Sequence, residues 1–304
     1  MMNSLAASFK ARKAAKNLFI FSIIVRYLFR VIETKITPPK GLSLNLKELW
    51  RSRELFYFFA WRDIKVKYKQ TLIGFLWAII QPLMMMGILY FFLAQRLETE
   101  GFKVPFVVYS LSGLIIWNVF STGITSAGNS MVQNSNMIKK IYFPRLIIPS
   151  SSVIVSLFDF IWAFLVFLIL VIALYGFQYF NWTTPLYFLA GILTVIFTTI
   201  GLGNLIASLS VKFKDVKYAL PFLVQLMLLG SSVIYPLSFI DNKIVGYLLA
   251  LNPCMGPVEL FRMGITGYSA PMELIYINLA FNLILFIIGL YNFRRTEQYL
   301  ADII

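Results

Sequence analysis

The sequence predicts an all-α polytopic membrane protein with six transmembrane helices, an N-terminal amphipathic interfacial helix, and short re-entrant external helices before the last span. Three observations carry that prediction. The 304 residues are 59% hydrophobic with a mean hydropathy of +0.78. Only 13% are charged, against about 25% in ordinary soluble domains. Several runs reach the roughly 20 apolar residues that a helix needs to cross a bilayer. They are continuously apolar, whereas a transmembrane β-barrel would show short alternating segments.

Taken in order, residues 1–35 mix Lys10, Arg12, Lys13, Lys16, Arg26 and Arg30 with Phe19, Ile20, Ile23, Ile24, Tyr27 and Phe29. That is too charged to span and too apolar for a solvated tail, so an in-plane surface helix is expected. The run Leu18 to Val25 is followed by arginines and by Pro38-Pro39, not by a small-residue cleavage site, so it is expected to be retained. Pro38, Pro39 and Gly41 break the helix. Leu46, Leu49, Trp50, Tyr57, Trp61, Ile64 and Tyr68 then recur at helical spacing, with Arg51, Arg53, Arg62, Lys65 and Lys69 between them. This second amphipathic helix belongs on the cytoplasmic surface, as an anchor or as a partner-docking helix.

The spans are expected at residues 72–94, 105–127, 149–175, 185–209, 218–238 and 271–292. Pro82 should kink the first. Asp159 is the carboxylate well inside a span, and there it must face the bundle. A proton or ion site is one reading of it. A hydrogen-bonded structural position is preferred, because no second carboxylate or basic partner lies at membrane depth. Gly201, Gly203, Ser208 and Ser210 permit close helix packing at the end of the fourth span. From Ser231 to Ala270, short apolar pieces alternate with Pro236, Pro253, Pro257, Gly256, Gly264 and Gly267. Two helices dipping into the outer leaflet fit this stretch better than a crossing. The expected organisation is an extension over 1–45, an interfacial helix over 46–70, a membrane domain over 71–293 and a cytoplasmic tail over 294–304.

The formal charge is +14, and its distribution assigns it to orientation and not to nucleic acid. With these spans, 23 of the 27 Lys and Arg residues fall on one side, 15 of them before Gln70. The positive-inside rule then puts both termini in the cytoplasm, and the excess attracts anionic lipid. The single cysteine, Cys254, lies in the external stretch, where an impermeant maleimide is expected to reach it unless the gate buries it. No histidine is present, which removes the commonest metal ligand and general base. The pattern G-x-x-x-x-G-K-[ST] is absent, so the chain has no P-loop, and no paired carboxylates or nucleophile set stand out. No catalytic residue, metal or cofactor is expected in it. Among the 29 Phe and 16 Tyr most belong to lipid-facing bulk and interfacial belts, leaving a minority for a passage wall.

Trp61-Arg-Asp-Ile-Lys-Val-Lys-Tyr68, followed by Leu72-Ile-Gly-Phe-Leu-Trp77 and Gln81-Pro82, resembles the N-terminal signature of the polysaccharide-exporting ABC-2 permeases. Three more segments agree in order and spacing. Asn136-Met-Ile-Lys-Lys-Ile-Tyr-Phe-Pro-Arg145 resembles the family's loop between spans two and three. Phe213-Lys-Asp-Val-Lys-Tyr218 resembles its turn before span five, with Lys214 where arginine is usual. Ser232-Val-Ile-Tyr-Pro236 and Asn252-Pro253 through Arg262 resemble its external stretch. The likeness covers residues 46–295.

The resemblance implies an inner-membrane permease that works as a homodimer with two separate ATPase subunits, which hold the ATP and Mg. It implies a lipid-linked polysaccharide as cargo, of the O-antigen, capsule or teichoic acid kind. A membrane-embedded glycosyltransferase or polymerase is the alternative from another class, and it would need a carboxylate or basic site in a large loop. Trp61, Arg62, Asp63, Asn136, Lys139, Lys140, Tyr142, Phe143, Pro144, Arg145, Lys214 and Asp215 are the expected ATPase-coupling residues. Lys139, Lys140 and Arg145 would meet acidic groups on the partner, and Tyr142 and Phe143 an apolar cleft. Tyr235, Pro236, Phe239, Tyr247, Asn252, Pro253, Phe261 and Arg262 are expected at the passage or external gate.

Overall fold

The computed structural model describes residues 46–69, 71, 73–99, 104–140, 143–237, 240, 242–266 and 271–298. The expected extension over 1–45, the end of the tail, Tyr142 and Phe239 lie outside the described residues. Regular structure among the described residues is helical. The short α1 (Leu46–Arg51) and α2 (Arg53–Tyr68) precede a 3-10 turn at Gly74–Leu76 and the first span, α3 (Trp77–Thr99). Gly74 opens that turn at φ +59, a conformation that a side chain would disfavour. Then come α4 (Phe106–Gln133), the single turn α5 (Ser135–Ile138), α6 (Ile147–Tyr175) and α7 (Thr184–Lys212). The chain ends through α8 (Val216–Leu229), α9 (Lys243–Ala250), α10 (Met255–Thr266) and α11 (Met272–Glu297).

Pro105 precedes α4, Pro271 precedes α11 and Pro185 lies in the first turn of α7, positions where a missing N–H costs nothing. Gly176, at φ +67, terminates α6. Among the described residues, five helices are long and apolar enough to cross a membrane, covering Gly74–Ala94, Phe106–Gln133, Ile147–Tyr175, Thr184–Lys212 and Met272–Glu297. The fifth expected span differs. Helix α8 has 14 residues, about 21 Å of rise where the hydrocarbon core needs about 30 Å. It ends at Gly230, followed by Ser231, whose hydroxyl donates to the Leu228 carbonyl at 2.7 Å. Helices α9 and α10, in the proline-rich stretch, form a pair bent by 101° at their break, either one broken span or a re-entrant pair.

Helix α4 is the centre of the bundle, packed by α3, α6, α7, α8 and α10. Small residues set the closest approaches. Gly203 of α7 faces Ala127 of α4, and Gly201 faces Phe286 and Gly289 of α11 without room for a side chain. Pro82 lies within α3, which continues through it to Thr99. Helix α2 runs beside the first half of α6, with Phe59 5.5 Å from Phe143 at one end and Tyr68 5.8 Å from Phe158 at the other. We call the two ends of the bundle the loop end, around residues 134–146, and the hairpin end, around α9 and α10.

Candidate functional site

At the loop end, α4 closes on Asn134, whose amide donates to the Ser130 carbonyl at 2.8 Å while its oxygen accepts from Arg62 Nη2 at 2.8 Å. Arg62 also pairs with Asp63 at 2.6 Å. The loop then divides into outward and inward residues. Asn136, Lys139 and Lys140 are exposed, as are Trp61 on α2 and Lys214 and Asp215 on the turn between α7 and α8. Phe143 and Pro144 are buried, Phe143 against Phe59. Arg145 Nη1 donates to the Glu297 carbonyl at 2.7 Å, and its backbone N–H donates to Glu297 Oε1 at 3.2 Å. Two expectations are therefore corrected. Phe143 fills a cleft of its own chain, and the Arg145 guanidinium is held by a backbone carbonyl of its own α11.

At the hairpin end, a break between two helices in an apolar setting must satisfy its backbone internally. Three asparagines do this. Asn252 Nδ2 donates to the Met227 and Gly230 carbonyls at 2.7 and 2.8 Å, tying the break to the end of α8. Asn278 of α11 donates to the Ala250 and Asn252 carbonyls and accepts from the Gly256 N–H at 3.0 Å. Asn282 donates to the Pro253 carbonyl at 3.0 Å. Sequence reading singled out Asn252 but missed Asn278 and Asn282, whose spacing of four on one face of the last span is the signal that finds them.

Arg262 and Glu259, three residues apart on α10, form a pair at 2.6 Å with both side chains 0% exposed. Arg262 Nη1 also donates to the Ser232 carbonyl at 3.0 Å, and its guanidinium lies 3.6 Å from the Tyr109 ring centre. The Tyr109 hydroxyl donates to that same carbonyl at 2.7 Å. Phe261 is stacked on Phe188 at 4.4 Å, with Phe160, Phe164 and Phe167 around it. Pro236, Pro253 and Cys254 are buried. Within one copy of the chain Phe261 and Arg262, expected at the passage or external gate, thus face the interior, and Cys254 is enclosed with them. Tyr235 is half-buried, its hydroxyl donating to the Leu229 carbonyl at 3.2 Å. Tyr247 is exposed and joins α9 to α11 through Glu273 at 2.7 Å.

Between the two ends, the outward faces of the spans differ in kind. Helix α3 exposes Met84, Ile88, Phe91 and Phe92, α6 exposes Ile161, Leu165 and Ile169, and α11 exposes Leu283, Ile284 and Ile287. Over residues 108–129 of α4, the positions that are not buried are Asn118, Ser121, Thr122, Thr125, Ser126 and Asn129. They recur at three- and four-residue spacing and so form one polar lane on a helix otherwise enclosed. The Thr122 and Thr125 hydroxyls donate back to the Asn118 and Ser121 carbonyls at 2.6 and 2.7 Å, and Asn129 Nδ2 donates to the Thr125 carbonyl at 2.9 Å. Their oxygens keep outward acceptor capacity. Facing lipid, such a lane would be unfavourable.

A bundle of long apolar helices with a sharply bent helix pair and an open polar lane defines a multi-pass membrane protein of the permease kind. The pattern of the ABC-2 type transporter family matches residues 54–266, and the chain belongs to that family. An O-antigen export system permease protein RfbA from Myxococcus xanthus is 29% identical over 220 residues, 71% of this chain and 82% of the relative. A protein of the same name from Klebsiella pneumoniae is 28% identical over 273 residues, 86% of this chain and 100% of the relative. The polysialic acid transport protein KpsM of Escherichia coli is 26% identical over 245 residues, 78% and 91% of the two chains.

Proposed function

We propose that the chain is the permease subunit of an ATP-driven exporter that carries a lipid-linked, O-antigen-like polysaccharide across the bacterial inner membrane. The observation that carries this reading is the polar lane of α4. A hydroxyl-rich chain matches a row of neutral amides and hydroxyls, and the lane from Asn118 to Asn129 holds no charge to trap it. Weak, repeated hydrogen bonds suit a polymer that must slide. Two copies of the chain with their lanes facing would enclose such a path, and the hairpin end would close it.

The energy must come from elsewhere, since the sequence has no P-loop. Two ATPase subunits are the proposed partners, meeting the exposed residues Asn136, Lys139, Lys140, Trp61, Lys214 and Asp215 at the loop end. That end is then cytoplasmic, in keeping with the positive-inside rule. The names of the relatives support the polysaccharide class, and the KpsM relative supports extending it to capsule polymers.

Removing the gene and supplying a tagged copy tests the reading. Without the permease, lipid-linked glycan accumulates on the cytoplasmic face and surface glycan disappears, and the tagged copy brings down an ATPase. Unchanged surface glycan would refute it. A membrane glycosyltransferase would leave a different trace, with glycan synthesis stopping instead of product accumulating.

A further inference from the structure

Asp159 sits twelve residues beyond Ile147, the start of α6, or about 18 Å along the helix. Its side chain is 4% exposed, a costly place for a lone carboxylate. The cation comes from a helix that reads as a surface element. Lys67 Nζ donates to Asp159 Oδ2 and the Tyr68 hydroxyl donates to Oδ1, so the last turn of α2 occupies both oxygens. Burial, then the neighbouring carboxylate, holds the Tyr68 phenol above its ordinary range, and it remains a donor at physiological pH.

One turn farther along α6, Trp162 receives Phe75 at 4.7 Å, from the 3-10 turn that leads into the first span. Helix α6 therefore grips the chain on both sides of the bend between α2 and α3. The middle of α2 is tied to the loop end by the Arg62 to Asn134 bond at 2.8 Å and by the Phe59 to Phe143 contact at 5.5 Å. Lys67 is 38% exposed and can be rehydrated if α2 swings away, whereas Asp159, on a spanning helix, would lose the donors on both its oxygens. Separation would strand a buried carboxylate, whereas joint movement keeps the pair intact.

We propose that Asp159 is a positioning residue that locks α2 to α6, so that the surface helix, the 134–146 loop and the third span move as one body. A load placed on the loop then reaches the middle of the membrane domain without a sliding joint. The functional arm of the test rests on the export reading. The structural arm needs only the permease.

For the structural arm, Cys254→Ala protein carries spin labels through Tyr57→Cys and Leu165→Cys, both exposed positions. Labelled in detergent and then reconstituted into lipid nanodiscs with an excess of unlabelled protein, so that only the distance within one chain is read, the parent is expected to give one narrow distance, and the added Asp159→Asn change a broad one. A parent that already shows two distances, or an Asp159→Asn protein that stays narrow, overturns the lock. For the functional arm, Asp159→Asn and Lys67→Gln each lower export per ATP hydrolysed about tenfold at normal membrane levels. The double variant loses no more than either single one, because both act through the same contact. Losses that multiply, or export and ATP hydrolysis falling together with protein level, overturn the proposal. Should Asp159→Asn fail to accumulate, Lys67→Gln carries the same test from the partly exposed side. If the parent exports no polysaccharide, the export reading fails and the distances still decide the lock.

Discussion

At the hairpin end, Asn252, Asn278 and Asn282 aim their amides at the chain's own backbone, and Arg262 and Glu259 are enclosed completely. At the loop end, Phe143 and Arg145 turn inward in the same way, yet Asn136, Lys139, Lys140, Lys214 and Asp215 stay exposed beside them. The difference separates two jobs that residue type alone confuses. Polar and aromatic side chains at the hairpin hold a broken helix in a fixed shape. The exposed basic residues at the loop are surplus to the fold, so a partner can use them without dismantling it.

Arg262→Met gives the largest expected effect. It leaves Glu259 buried without its cation, at a cost of about 3–5 kcal/mol. Thermal unfolding in detergent reads this, and adding Glu259→Gln restores much of the loss by removing the stranded charge. A single variant as stable as the parent would break the comparison at the hairpin. Phe143→Ala comes next, at about 3 kcal/mol for an emptied aromatic site against Phe59. Its effect on coupling therefore cannot be separated from its effect on folding. Asn278→Ala orphans the Ala250 carbonyl and the Gly256 N–H, leaves the Asn252 carbonyl with the Met255 N–H alone, and is expected to cost about 2 kcal/mol. Lys139→Glu with Lys140→Glu sits at the other extreme. Stability changes by less than about 0.5 kcal/mol, while ATPase co-purification and export fall. Normal co-purification would place the partner surface elsewhere.

Much of this was legible in the sequence, and the misses share a cause. Continuous apolar runs announce α3, α4, α6, α7 and α11, and Pro253, Gly256 and Pro257 announce the bent pair. Hydropathy measures how apolar a run is, not which side of it is covered. The lane from Asn118 to Asn129 therefore vanished into an otherwise apolar second span. The same blindness hid that Phe261 and Arg262, expected at the passage or external gate, are enclosed within their own chain, although Glu259 stands at the spacing that pairs with Arg262 on a helix. Asp159 found its cation in α2, because a helix read as lying on the surface runs alongside α6. Contacts between segments far apart in the chain, such as Lys67 with Asp159, have no signature in local periodicity.

The central claim is that the uncovered face of α4 borders a water-filled route for a polar chain, unlike the lipid-facing sides of its neighbours. Cysteine scanning in Cys254→Ala protein tests it most directly, using a small water-soluble thiol reagent on sealed membranes. Cysteines replacing Asn118, Thr122, Thr125 and Asn129 are expected to react, and to be shielded when a glycan is arrested in transit. Cysteines replacing Ile161, Leu165 and Ile169 of α6, which are exposed in this chain, are expected to stay unreactive because lipid covers them. If the α4 positions are inert while those of α6 react, the lane is not the passage and the account fails.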